Sequence, residues 1–223
     1  MIKDFMIFSE PCSGSHFLQY SLSDNFHIDY SNHHHSQRHF FGHENDIYSS
    51  EEIESTLFIY LTRDPVEWID SFFKILHHVP SINKQNINNF VKNEWYSIYE
   101  MGDEINTEIM EDRNIFTKER YKNILEMRKI KNDYFLTIGK EKFTHFLILK
   151  YEDLRDDYKN TLNKIQTQFQ LKPRNEKYKE IVKYKGSYND LYYKKPIVIN
   201  DEIQEYIKKN VDPEQEKIFG YIV

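Results

Sequence analysis

The run Thr56-Leu57-Phe58-Ile59-Tyr60-Leu61-Thr62 constrains the fold more than any other stretch of the chain. It is apolar at odd and even positions alike, so a strand built from it must be covered on both faces. That is the environment of a central strand in a parallel sheet with helices on each side. Asp64-Pro65 follows directly, and Asp caps helix N-termini while Pro fits the first helical position. Trp68, Ile69, Phe72, Phe73 and Leu76 then continue at helical spacing. The pattern is strand, turn, helix.

The same pattern opens the chain. Phe5-Met6-Ile7-Phe8 is a short apolar run ended by Ser9-Glu10-Pro11, and after Gly14 the residues Phe17, Leu18 and Leu22 take helical spacing. Phe26-His27-Ile28 reads as a short strand, and residues 31 to 50 as a polar, His-rich connector. Helices are expected over Asn86 to Tyr99, Thr117 to Asn132, Arg155 to Phe169 and Asp201 to Phe219, with a buried strand over Phe143 to Lys150 and a basic, aromatic loop over Lys183 to Pro196. Strands alternating with helices predict an α/β fold of three layers, with a mostly parallel central sheet flanked by helices. At 223 residues, one domain covering residues 1–223 is the expectation.

Composition narrows the function classes. Hydrophobic residues make up 39% of the chain, with 17 Tyr and 16 Phe, which is ample material for a core. The net charge of -6 argues against a general nucleic-acid binder, so any anion site must be local. A single cysteine, Cys12, excludes an intrachain disulfide framework and points to a reducing, cytoplasmic compartment. No apolar run approaches the roughly 20 residues that a membrane span needs, so no membrane partner is expected.

Two turns carry candidate chemistry. Pro11-Cys12-Ser13-Gly14-Ser15-His16 lies between a strand and a helix, where backbone N–H groups and the helix dipole face an anion and serine hydroxyls add donors. It lacks the Walker pattern, because no Gly precedes Gly14 at the required spacing and no Lys follows it. Arg63 ends the strongest strand, where open α/β sheets bind ligands, and Ser71 lies further along the helix. A guanidinium fork and a hydroxyl together suit a phosphate. The alternative at each turn is structural: an ordinary strand-to-helix connection, and a surface arginine beside a helix cap.

The order P-x-S-G-S, then R-D-P with Ser71, then Tyr151-Glu152-Asp153-Leu154 resembles the PAPS-dependent sulfotransferase family. Tyr184-Lys185-Gly186 is similar to a late segment of that family, and Phe219-Gly220-Tyr221 to its ending. The resemblance implies a P-loop-like sulfotransferase architecture and transfer of a sulfuryl group from PAPS to a hydroxyl or amine, with PAP as product and no metal. The acceptor would be a glycan, a small molecule such as an alcohol or phenol, or a protein tyrosine, with glycan favoured by analogy alone. It implies that Cys12, Ser13, Gly14, Ser15 and His16 hold the 5′-phosphosulfate, that Arg63, Ser71, Lys185 and Gly186 bind the 3′-phosphate, and that Tyr151 contacts the adenine. Cys12 departs from the pattern, because most members carry Lys or Arg there, and His16, Arg38 and Lys74 are the cations available to replace it.

For the proton-accepting role, the cluster His33-His34-His35, Arg38, His39 and His43 stands roughly where the family often places a Lys-x-His segment, and His39 is preferred over His43. A metal site is the competing reading of these imidazoles, as is a solvated loop. His77-His78 would line an acceptor pocket or simply end a surface helix, and the Lys194-Lys195 pair would steer an anionic donor. Two other functions remain open: a catalytically silent PAP- or PAPS-binding module, motivated by Cys12, and a P-loop nucleotide or nucleoside kinase.

Overall fold

The computed structural model describes residues 1–31, 38–42, 48–183 and 196–223. In chain order the elements are β1 (Asp4–Ser9), α1 (Ser15–Asn25), β2 (Asp29–Tyr30), α2 (Ser50–Ser55), β3 (Thr56–Thr62), α3 (Pro65–Phe73), α4 (Ser81–Lys84), α5 (Ile87–Lys92), α6 (Ile124–Tyr134), α7 (Lys140–Lys142), β4 (His145–Lys150), α8 (Tyr151–Asp156), α9 (Tyr158–Phe169), α10 (Asp201–Asn210) and α11 (Pro213–Ile218). A π-helical turn, Phe135–Gly139, joins α6 to α7.

The four strands form one sheet in the order β2-β1-β3-β4, parallel throughout. Asp4 pairs with Thr56 and Ser9 with Leu61, so β1 and β3 run side by side and finish together. The chain leaves β1 for β2 on one side and later returns to β3 on the other. The carboxyl ends of β1 and β3 therefore flank the switch point of the sheet, where open α/β folds form a ligand crevice.

Strand alternation divides the core. Phe5, Ile7, Leu57, Ile59 and Leu61 face one side and pack on Leu18 and Leu22 of α1, Leu154 of α8, and Leu162 and Ile165 of α9. Met6, Phe8, Phe58 and Tyr60 face the other side and meet Phe41, Tyr134, Phe135 and Phe143. Phe58 stacks on Phe143 with centroids 3.9 Å apart, and Tyr60 on Phe135 at 4.1 Å. A third cluster, built on Trp68, Phe72, Phe90, Trp95 and Tyr121, binds α3 to α5, α6 and α10. No described helix is long and apolar enough to cross a membrane.

Several expected boundaries shift. The strand expected at Phe26–Ile28 forms instead at Asp29–Tyr30, which pairs with Asp4 and Phe5 of β1, while Phe26 bridges to Pro173. The helix expected from Asn86 stops at Lys92, and the one expected from Thr117 starts at Ile124, capped by Asn123. Trp95 and Tyr121, which lie within the two expected helical stretches, face each other in an antiparallel bridge and are buried. The apolar stripe beyond Phe73 ends with Leu76 in the left-handed region, and Asp212-Pro213 splits the C-terminal helix in two.

One buried ion pair fastens the C-terminal part to the sheet. Arg128 of α6 meets Glu216 of α11 through two contacts of 2.6 and 2.7 Å, and its Nη2 also donates to the carbonyl of Arg63 at 2.9 Å. Breaking such a pair leaves an uncompensated charge in the interior. Glu216→Gln is expected to lower the unfolding free energy by about 3–5 kcal/mol, read as a shift of the urea midpoint.

Candidate functional site

The turn after β1 is strained in a specific way. Cys12 has φ +64° and Gly14 has φ +92°, with Ser13 between them. Left-handed backbone at these two positions gives the turn the alternation seen in anion-binding nests, and at Cys12 it costs about 1–2 kcal/mol because a side chain is present. A Cβ on Gly14 would lie 2.3 Å from Cδ2 of Tyr151, so only glycine fits there. Gly14 is also the N-cap of α1, with no side-chain cap and no acidic residue in the first turn of the helix. A helix terminus of this kind presents backbone N–H groups and the positive end of a dipole, a setting that suits an anion.

The second turn begins where β3 ends. Asp64 caps α3 by accepting from Val66 and Glu67 amides at 3.0 and 2.9 Å. Its own N–H donates to Oε1 of Glu152 at 3.0 Å, and Tyr221 donates to the other Glu152 oxygen at 3.0 Å. Burial raises the Glu152 carboxyl, and these donors pull against that rise. Glu152 and Tyr221 thus lock the Arg63-Asp64 turn in place.

The two turns meet. Arg63 Nη1 donates to the carbonyl of Cys12 at 2.9 Å, and Trp68 Nε1 donates to the carbonyl of Pro11 at 2.9 Å. The Arg63 guanidinium lies 4.6 Å from the Tyr151 ring centre, and the same ring packs on Gly14. Arg63 also approaches Glu67 at 3.5 Å, whereas Arg155 holds that carboxylate more closely at 2.7 Å. Arg155 is further matched by Asp156, which leaves Arg63 the less compensated of the two cations. Its Nε is buried without a hydrogen-bond partner.

No family model matches this chain, and no curated protein matches it.

Cys12 is half-buried and packs against the Trp68 cluster. Ser13 and Ser15 are buried, whereas His16 is exposed. Ser71 is half-buried on α3, and among the described residues no hydrogen bond joins it to Arg63 or to the first turn. Tyr151 is 2% exposed, so its ring is a core element between Gly14 and Arg63 rather than part of an open rim. Lys74 is committed to Asp70 at 2.5 Å and to the Pro196 carbonyl. His78 donates from Nδ1 to Ile98 and packs on Phe40, while exposed His77 meets Glu100. His33, His34, His35, His43, Lys185, Gly186, Lys194 and Lys195 lie outside the described residues.

Arg38 reaches the start of α1, and His39 the end of β1. Arg38 Nη1 donates to Ser15 Oγ at 3.4 Å. His39 donates from Nδ1 to the Ser9 carbonyl at 2.6 Å, which leaves Nε2 as the acceptor nitrogen. Burial, with Arg38, Lys131 and His78 nearby, lowers the imidazole to about 3 against the opposing pull of the Ser9 bond. His39 is therefore neutral at physiological pH and a weak proton acceptor.

Sequence reading passed over Glu10, which directly precedes the first turn and is 3% exposed. Lys131 lies 3.3 Å from it, but the ammonium is directed at Asp112 (2.6 Å) and at the His39 carbonyl (2.8 Å). Neither Glu10 oxygen receives a hydrogen bond. Burial raises its carboxyl from 4.5 to about 7, with Lys131 opposing and Asp112 reinforcing the rise. The folded state thus retains the proton longer than the unfolded chain. Stability from neutral Glu10 is fully present below about 4.5 and is lost as pH climbs to about 7. Thermal melts of Glu10→Gln between pH 4 and 8 are expected to show a flatter decline than wild type, with the variant the more stable at pH 8.

Proposed function

We propose that the chain is a sulfotransferase of P-loop-like architecture that takes PAPS as donor and releases PAP. The acceptor is a hydroxyl or amine on a small molecule or a glycan. The observation that carries this reading is the 2.9 Å hydrogen bond from Arg63 to the Cys12 carbonyl, which joins the two motif-bearing turns at the switch point of a parallel sheet. A donor with phosphate groups at both its 3′ and 5′ positions needs two anion sites at a fixed separation. An uncapped helix terminus and an incompletely paired arginine, held together, suit that need.

In this reading the Gly14 and Ser15 amides and the serine hydroxyls of the first turn hold the 5′-phosphosulfate and Arg63 the 3′-phosphate. The acceptor oxygen or nitrogen forms a bond to sulfur and loses its proton, while the bond from sulfur to the 5′-phosphate oxygen breaks and its electron pair stays on the phosphate. Positioned donors at that oxygen stabilise the developing charge. His39 Nε2 takes the acceptor's proton, and its low basicity makes turnover slow. No metal is required, because backbone amides and cations hold the charge.

A second reading, donor binding without turnover, is favoured by Cys12, which brings no positive charge to the first turn. PAP binding with no consumption of PAPS by the wild type would select it.

Arg63→Ala is expected to weaken PAP binding by about 1.5–3 kcal/mol, the range for hydrogen bonds to charged groups. Titration calorimetry on wild type and variant measures this directly, and equal affinities would contradict the assignment of Arg63.

A further inference from the structure

Three basic residues are buried among those described, Arg38, Arg128 and Lys131. Arg128 is clasped by Glu216, and Lys131 by Asp112 with Glu10 nearby. Arg38, 6% exposed, has no such counter-ion among the described residues. Its Nε donates to the Tyr30 hydroxyl at 3.0 Å, Nη2 donates to the same hydroxyl and to Gln19 Oε1, the latter at 3.0 Å, and Nη1 reaches Ser15 Oγ at 3.4 Å. Every one of these acceptors is uncharged. A guanidinium removed from water in this way is strongly unfavourable unless a negative charge joins it.

The guanidinium lies against the terminus where that charge belongs. Ser15 is the first residue of α1, whose N-cap carries no side-chain cap and whose first turn carries no acid. The neighbouring Glu10, one residue before the turn, is held toward its neutral form by burial. The other two cations considered for this role do not compete: Lys74 is bound to Asp70, and His16 is exposed.

We propose that Arg38 is the charge-bearing anion ligand of the first turn, donating to a terminal phosphoryl or sulfuryl oxygen seated over residues 13–15. It supplies, from a segment distant in sequence, the cation that Cys12 omits. Tyr30 acts as its positioning residue, accepting from two of its nitrogens. The inference rests on the sulfuryl-transfer reading for the identity of the ligand, and on the buried charge alone for the existence of the site.

The test uses wild type, Arg38→Gln and Arg38→Lys with three probes: PAP, adenosine 3′-monophosphate and inorganic phosphate. Calorimetry is expected to show PAP affinity reduced about tenfold to a hundredfold in Arg38→Gln and restored in part by Arg38→Lys. Adenosine 3′-monophosphate, which lacks the 5′ anion, should bind wild type and Arg38→Gln alike. In anion-free buffer the thermal midpoint of Arg38→Gln should equal or exceed that of wild type, because an unbalanced buried charge has been removed. A clear fall in that midpoint marks a structural residue and overturns the proposal, as does an undiminished affinity for PAP or an equal loss for both nucleotides. Wild type that ignores PAP but is stabilised by inorganic phosphate through Arg38 sinks the nucleotide reading and keeps the anion site. Wild type that responds to neither PAP nor phosphate overturns both.

Discussion

The hydrogen bond from Arg63 to the carbonyl of Cys12 joins two parts of the chain that lie 51 residues apart in sequence. It is possible because β1 and β3 are neighbours in a parallel sheet and end at the same level. Arg63 cannot drift, since Arg128 holds its carbonyl and Asp64 is fixed between its own helix cap and Glu152. Cys12 cannot drift either, with Trp68 bonded to the residue before it and Tyr151 packed on Gly14 just beyond. The geometry at the switch point is therefore set by groups on β3, α3, α6 and α8 acting together. A left-handed Cys12 persists because its surroundings over-determine it.

Electrostatics around this point are uneven. The basic groups behind the turns are mostly neutralised: Arg128 by Glu216, Lys131 by Asp112, Arg155 by Glu67 and Asp156. Among the described residues, Arg38, which touches the first turn, has no carboxylate partner, and Arg63 has only Glu67 at 3.5 Å, a carboxylate it shares with Arg155. Placing unsatisfied cations beside an uncapped helix terminus is unfavourable for folding, and an anionic ligand relieves it.

What was legible in the sequence was local. The apolar run at 56–62 and the Asp64-Pro65 cap depend on neighbouring residues only, and both appear as expected. The helices expected over 86–99 and 117–132 overran because Trp95 and Tyr121 pair in a buried bridge, and the packing of Trp95 on Phe72 and Phe90 that fixes it joins residues far apart in sequence. The convergence of the turns was an expectation from motif order, and the strand pairing supplies its geometry. Glu10 and Arg38 differ from those cases. Nothing in a lone carboxylate after a strand tells that it is buried without a donor, and the isolation of Arg38 depends on partners 8, 19 and 23 residues away. Tyr151, whose place at a strand end suggested a ligand contact, proves to be the wedge between Gly14 and Arg63.

The claim on which the account stands is that these two turns hold opposite ends of one ligand, and a crystal of the protein soaked with PAP measures it most directly. The account predicts density for the 5′-phosphate against the amides of Gly14 and Ser15 and for the 3′-phosphate at the Arg63 guanidinium. Density for PAP at any other face of the sheet, or crystals that take up none at concentrations well above those of a cellular nucleotide, would contradict it.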